Sequence, residues 1–353
     1  MSPFIHRVAI ENAARAEGLV AGFAPVDADL KKEYFDRWIA EGQHAGMRWM
    51  DNARRKDPQA TLPECETIIV FGLNYYQPQP ETTPTPYPLP VGGEDVSGLR
   101  PHNPLLSHEK IHNTSFVPHI KVHNERSGKI ATYALGADYH DWLLEKLKRI
   151  CTLMEGWGSN QKAYVDTGPI MEKRFAAATV LGWQGKNTLL ISSEYGPWLF
   201  LGVILTTLRL PTDKPSANRC GSCVRCMKAC PTGAITAPYQ LDARRCVAYW
   251  TIEHKGEIPE ELHGAIGDRL FGCDDCLTAC PWNKFAKTSS EIRVQAHDYP
   301  GVDKIMEMDE AAFERTFAGT PIHRLGLERL KRNARIVMKN GIGANMSAKH
   351  NTY

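Results

Sequence analysis

Eight of the ten cysteines in this 353-residue chain lie between residues 220 and 280, at spacings suited to redox metal chemistry. Cys220, Cys223, Cys226 and Cys230 spell C-x2-C-x2-C-x3-C-P, the ferredoxin run in which three thiolates share one 4Fe-4S cluster and the fourth serves its neighbour. Cys273, Cys276 and Cys280, again followed by proline, form a second group one ligand short, and Cys246 is the nearby cysteine left to complete it. The crossed pattern predicts one cluster on Cys220, Cys223, Cys226 and Cys280 and a second on Cys230, Cys246, Cys273 and Cys276. Tetrahedral zinc also takes paired C-x2-C motifs, but it gives no reason for two Cys-Pro endings. Cys65 and Cys151 stand alone in apolar surroundings and read as core residues.

Asp166 is the acid–base candidate. It follows the strand-like run KAYV and precedes Thr-Gly-Pro, a strand end of the kind where α/β proteins gather ligands. A half-buried carboxyl there would have a raised pKa and a proton to give. The plainer reading, preferred on spacing alone, is an aspartate that caps its own turn.

These groups need elements to hold them. Ile5, Val8, Ala9 and Ala13 keep helical spacing, as do Leu30, Tyr34 and Trp38. TIIVFGLNYY (67–76) reads as a buried strand, and DWLLEKLKRICTLMEG as an amphipathic helix with Leu143, Leu147, Ile150 and Met154 on one stripe. Between Pro78 and Ser127 prolines accumulate and no period survives, which predicts a long loop or meander. Its five histidines, His102, His108, His112, His119 and His123, match no ligand spacing and read as exposed polar residues, a metal site being the alternative. The stretch LGWQGKNTLL has two glycines without dinucleotide or Walker spacing. The last residues, from Asn340, read as a mobile polar tail.

Composition sets the outer bounds. Hydrophobic content of 42 % and charged content of 23 % suit a globular chain of one or two domains. No apolar run reaches the roughly 18 residues of a membrane span, and no export signal is visible, so a cytoplasmic protein is expected. A net charge of +2 does not by itself imply nucleic acid, although RLGLERLKRNARIVMK concentrates Arg324, Arg329, Lys331, Arg332, Arg335 and Lys339 against Glu328. On charge alone that stretch is a solvated helix face. Residue by residue, the reading stops at an iron–sulfur oxidoreductase that feeds a second redox centre or substrate.

Four strings carry a resemblance. YALGADYHDWL, VDTGPIMEKRFAAATVLGWQGKNTLLI, GCDDCLTACPWNKFA and the cysteine run, in this order, closely resemble the epoxyqueuosine reductase family. The resemblance implies two 4Fe-4S clusters and a cobalamin bound base-off without a protein histidine ligand. It implies reduction of epoxyqueuosine to queuosine at the wobble position of tRNAs with GUN-type anticodons, with electrons from a cytosolic donor such as flavodoxin or ferredoxin. By position, Asp166 matches the family's proton donor, which reverses the plainer reading of that residue. Cobalamin contacts fall on Arg55, Ala131, Asp166, Leu190, Leu201, Cys273 and Asp274. The basic stretch then reads as a tRNA contact through Arg324, Arg329, Lys331, Arg332 and Arg335, with Lys255 beside the active site. Two alternatives stand beside this: a cobalamin-dependent, reductive-dehalogenase-like enzyme on a small substrate, and an iron–sulfur electron-transfer protein without cobalamin. The expected architecture is α+β. A mixed α/β cobalamin- and substrate-binding domain spans 1–210 with its 78–127 insertion, a ferredoxin-like module spans 211–290, and a helical basic segment with a mobile tail spans 291–353.

Overall fold

A computed structural model describes residues 2–28, 31–78, 127–291, 293 and 297–349. Leu30, the interior of the proline-rich stretch and its five histidines lie outside these residues. The elements described here belong to one compact unit, Met1–Gln77 with Glu125–Tyr353. In chain order its first half runs α1 (Pro3–Ala16), β1 (Val20–Pro25), α2 (Lys32–Ala40), β2 (Thr67–Asn74), β3 (Lys129–Ile130), α3 (Tyr139–Glu155), β4 (Gln161–Tyr164), α4 (Glu172–Ala177), β5 (Trp183–Gln184), β6 (Leu190–Ile191) and β7 (Leu199–Thr206). There follow α5 (Arg225–Ala229), α6 (Glu260–Ile266), β8 (Arg269–Phe271), α7 (Asp275–Thr278), α8 (Val302–Glu307), α9 (Glu310–Phe317) and α10 (Leu327–Lys349).

The central sheet has the order β1-β2-β7-β4, and every pairing in it is antiparallel. β2 is apolar from Ile68 to Leu73 and buried from Thr67 to Leu73, because both faces are covered. Ile69 and Phe71 meet Leu143, Leu147, Ile150 and Met154 of α3, as the stripe predicts. Ile68 and Val70, pointing the other way, meet Phe175 and Ala176 of α4. The strand-end rule invoked for Asp166 belongs to parallel sheets and does not apply here. What places Asp166 is a local turn.

Two helical stripes differ from expectation. In α1 the buried residues are Ile10 and Ala14, whereas Ile5 and Val8 are 51 % and 38 % exposed. The helix meets the core through its second half, so the early apolar positions stay at the surface. Helix α2 buries none of its residues, and Tyr34 and Trp38 instead line a cleft. Gly182 and Gly185 serve packing: a Cβ at Gly182 would run into the Ile191 carbonyl across the β5–β6 hairpin.

The C-terminal helices form their own core. Leu327, Leu330, Ala334 and Val337 of α10 pack with Leu270 and Phe271 of β8 and with Phe313 and Phe317 of α9. Where a mobile tail is expected from Asn340, α10 continues as helix to Lys349.

Candidate active site

A cleft of about 1110 Å³ opens in this unit, and Asp166 lies within it. β4 ends at Tyr164, and Asp166 takes a left-handed backbone conformation, φ 54°, which aspartate tolerates better than most residues. Its backbone N–H donates to Glu172 Oε1 at 2.8 Å. Its Oδ2 accepts the Tyr139 hydroxyl and faces His140 Nε2 at 3.5 Å. Behind the imidazole, Asp138 Oδ1 engages His140 Nδ1 at 2.6 Å, and Arg324 pairs with Asp138 Oδ2 at 3.0 Å. Asp138 also caps α3, accepting the His140 N–H at 3.2 Å, so a helix start fixes the chain from Asp138 to His140. The Tyr139 ring stacks on Phe200, centroids 4.0 Å apart, which holds the hydroxyl on Asp166.

The electrostatics reverse one expectation. Burial raises the Asp166 pKa, but hydrogen bonds from His140 and Tyr139 outweigh it, and Asp166 titrates below the ordinary carboxylate range. The proton sits on its neighbours. Glu172 is pushed well above its usual value, first by burial and then by the Asp166 charge. His140 is opposed by burial, yet the hydrogen bonds it donates to Asp138 and Asp166 raise it. Two carboxyls so close cannot both ionise cheaply, and Glu172 is the one that stays neutral. Sequence reading missed Tyr139, His140 and Glu172. The signal that could have found the first two was the helix-start string Asp138-Tyr139-His140.

The eight clustered cysteines separate into two groups of interacting thiols. Burial and the charges of Cys220, Cys226 and Cys223 push Cys280 up to about 12, and Cys226 is raised by burial and by Cys220 and Cys223. Cys276 is raised by burial, then by Cys273, Cys246 and Cys230 among others. Among the described residues no three His, Cys, Asp or Glu side chains converge tightly enough for a single metal ion. The second group adjoins the cleft: Cys276 packs against the apolar cluster that includes Tyr75, Tyr139 and Phe200, which line it. At the first group, the ammonium of nearly buried Lys186 donates to the carbonyls of Gly221 at 2.6 Å and Cys223 at 2.9 Å.

Residues 219–283 match a 4Fe-4S double cluster binding domain, and residues 111–167 match the family described as epoxyqueuosine reductase QueG, DUF1730. The epoxyqueuosine reductase of Xanthomonas campestris pv. campestris is 35 % identical over 343 residues, 95 % of this chain and 87 % of its own. That of Synechocystis sp. is 36 % identical over 326 residues, 89 % of this chain and 98 % of its own. The chain belongs to the epoxyqueuosine reductase family. A crystal structure of epoxyqueuosine reductase with a tRNA-Tyr epoxyqueuosine-modified stem loop superposes with a TM-score of 0.80 at 25 % identity, covering 96 % of this chain and 82 % of that one. The Streptococcus thermophilus epoxyqueuosine reductase gives 0.76 at 27 % identity, covering 95 % and 81 %.

Of the positions that family resemblance assigns to cobalamin, Arg55, Asp166 and Leu201 line the cleft. Arg55 donates to the carbonyls of Trp49 at 3.2 Å and Ile170 at 3.3 Å. Ala131, Leu190, Cys273 and Asp274 are not among the residues that line the cleft. Ala131 is buried with its N–H on the Phe271 carbonyl, Leu190 is buried in β6, and Asp274 Oδ2 accepts the Thr132 N–H at 2.6 Å.

The basic residues do not act as one set. Lys255, Arg324 and Arg329 line the cleft, and Arg335 is exposed on α10, as is Lys339, which pairs with Glu260. Lys331 is half-buried. Arg329 spends its guanidinium on the carbonyls of Leu325, Ile252 and Arg324. Arg332, expected as a tRNA contact, is instead turned away from solvent. It is 4 % exposed and donates to the carbonyls of Trp250, His254 and Gly256 and to Asn333 Oδ1. Burial, then the nearby charges of Arg329 and Arg335, lower its pKa to about 10.

Proposed function

We propose that this chain reduces epoxyqueuosine to queuosine in the anticodon loop of tRNA, passing electrons through two 4Fe-4S clusters to a cobalamin held in the cleft. The observation that carries the reading is Asp166, gripped by Tyr139 and His140 and backed by protonated Glu172, in a cleft that the second cysteine group adjoins. The clusters take Cys220, Cys223, Cys226 and Cys280, and Cys230, Cys246, Cys273 and Cys276, respectively. Residues 1–210 supply the cobalamin and substrate site, 211–290 the cluster module and 291–353 the helical basic segment.

The cleft suits a macrocycle together with a nucleoside. Its volume slightly exceeds the roughly 300–1,000 Å³ of ordinary small-molecule pockets. Leu189, Leu199 and Leu201 give it an apolar wall, and Arg55 supplies a cation. His140 is a histidine on that lining, but Asp138 and Asp166 face both its ring nitrogens, which favours binding without a histidine ligand. Cobalamin, when bound, supplies low-potential redox chemistry at cobalt.

The protein's part is to place the substrate, exclude water and deliver protons. Removal of the epoxide oxygen takes two electrons and two protons and leaves an alkene and water. Asp166 passes a proton to the opening oxygen and is resupplied at Oδ2 by His140 Nε2, with the neutral Glu172 carboxyl as a further source. The anionic Asp166 is therefore a relay and not a stored acid. Lys255 at the cleft, with Arg335 and Lys331 on α10, neutralises RNA phosphates in this reading, while Arg324 at the cleft is paired with Asp138. Among the described residues no helix is long and apolar enough to cross a membrane, and a cytoplasmic location fits the tRNA substrate.

The test is anaerobic turnover of an epoxyqueuosine-bearing stem loop by cluster-loaded protein, followed by nucleoside mass spectrometry. Cobalamin-dependent loss of one oxygen supports the reading. No loss with both clusters and cobalamin spectroscopically present refutes it and favours a small organic substrate.

A further inference from the structure

We propose that the exposed cationic face around the first cysteine group is the docking surface for an acidic one-electron carrier, and thus the electron entry port. The proposal rests on the electron relay above. From Lys214 to Leu241 the chain carries Lys214, Arg219, Arg225 and Lys228 and no acidic residue, and residues 276–290 carry Lys284 and Lys287 and again no acid. Lys214, Arg219, Arg225, Lys228 and Lys284 are all exposed, and none of them makes an ion pair among the described residues. Arg219 and Arg225 each adjoin a cysteine of the first group, Cys220 and Cys226. Arg225 and Lys228 lie three residues apart on α5, on one side of it. The acid nearest in sequence, Asp213, is 2 % exposed and bound by Arg7 at 2.7 Å, so it does not cancel this charge.

The chemistry of delivery explains such a face. Thiolate-ligated clusters are anionic, so an acidic carrier approaching one is repelled unless fixed cations intervene. Each encounter transfers one electron, oxidising the carrier and reducing the cluster, and each epoxide needs two. The carrier must arrive, leave and return, which calls for a fast, charge-steered and weak complex. None of the five cations lines the cleft that would take the modified nucleoside. Lys186 holds the Gly221 and Cys223 carbonyls from beneath, giving the approached loop a fixed shape.

The experiment uses full-length, cluster-loaded protein without RNA and a reduced flavodoxin as the probe. Stopped-flow bleaching of the cluster absorbance gives the second-order rate across ionic strength. The rate for wild-type protein is expected to fall as salt rises. The variant carrying Arg219→Glu, Arg225→Glu and Lys228→Glu is expected to lose about tenfold or more at low salt, along with its salt dependence. Dithionite reduction and iron content serve as controls and stay unchanged. Should the triple variant lose iron, Lys228→Glu and Lys228→Gln alone give a graded readout on intact clusters. Equal rates for variant and wild type, a wild-type rate indifferent to salt, or no wild-type reduction overturn the proposal. So does a variant that loses stem-loop affinity while flavodoxin still reduces it normally, since the face then belongs to RNA. Clusters reduced as expected but no turnover of epoxyqueuosine would leave the port standing and remove the proposed function.

Discussion

His140 Nε2 stands 3.5 Å from Asp166 Oδ2 while its Nδ1 is held by Asp138 at 2.6 Å, so one imidazole lies between two carboxylates. Arg324 neutralises the outer carboxylate, which leaves the inner one as the group that presents charge to the cleft. A proton on this imidazole is stabilised from both sides, and Nε2 faces Asp166 as its acceptor toward the cleft.

Asp166→Asn is expected to cut turnover by about 10² to 10⁴-fold, the usual worth of general acid–base catalysis. Cluster absorbance and stem-loop affinity should be unchanged. Full turnover by this variant in the mass-spectrometric assay would strip Asp166 of its role.

The pH dependence follows from the raised pKa of His140. The imidazolium persists above the ordinary histidine value of about 6.5 and is lost as pH rises through the raised value. Turnover should therefore fall on that alkaline limb, and His140→Gln should lower the plateau and flatten the limb. Stability is linked with the same sign: the contribution of His140 is complete below its unfolded pKa and is lost as pH rises through the folded one. Denaturant midpoints measured across that window check this second part.

Lys186→Met removes a nearly buried positive charge beside the loop of the first cysteine group. The potential of one cluster should fall, on the order of tens of millivolts, because charge and hydrogen bonding around the thiolates set it. EPR-monitored redox titration would show two waves with one displaced. Two unmoved waves would mean the ammonium acts only as a brace.

Arg332 and Arg335 are three residues apart on α10 and should behave oppositely. Arg332→Met leaves three carbonyls without their donor and should cost about 2–4 kcal/mol of stability. Arg335→Ala should leave the melting temperature unchanged, weaken stem-loop binding and reduce its salt slope by about one. Melting curves and salt-dependent binding isotherms distinguish the two.

The sequence alone determined what depends on short-range spacing. Cysteines three and four residues apart must share a loop, so the cluster motif, and the crossed partition it predicts, can be read from their positions. A run of six apolar residues, Ile68 to Leu73, with no polar face, must be covered on both sides, and β2 is. The stripe on α3 was legible for the same reason. Resemblance of whole strings supplied Asp166, which spacing by itself gave to a turn.

Only the tertiary structure decided which groups meet across the chain. The partners of Asp166 come from the start of α3, 26 and 27 residues before it, and no local pattern joins them. Its pKa direction follows from those partners, so a carboxylate expected to store a proton is instead the acceptor of two donors. Arg332 shows the same limit at the surface. Lys331 beside it is half-buried and Arg335 three residues on is exposed, but α10 turns that one guanidinium under the carbonyls of Trp250, His254 and Gly256. Helical periodicity fixes which residues share a face. What that face is packed against, and therefore whether a charge is steering or structural, depends on contacts made from 76 to 82 residues away.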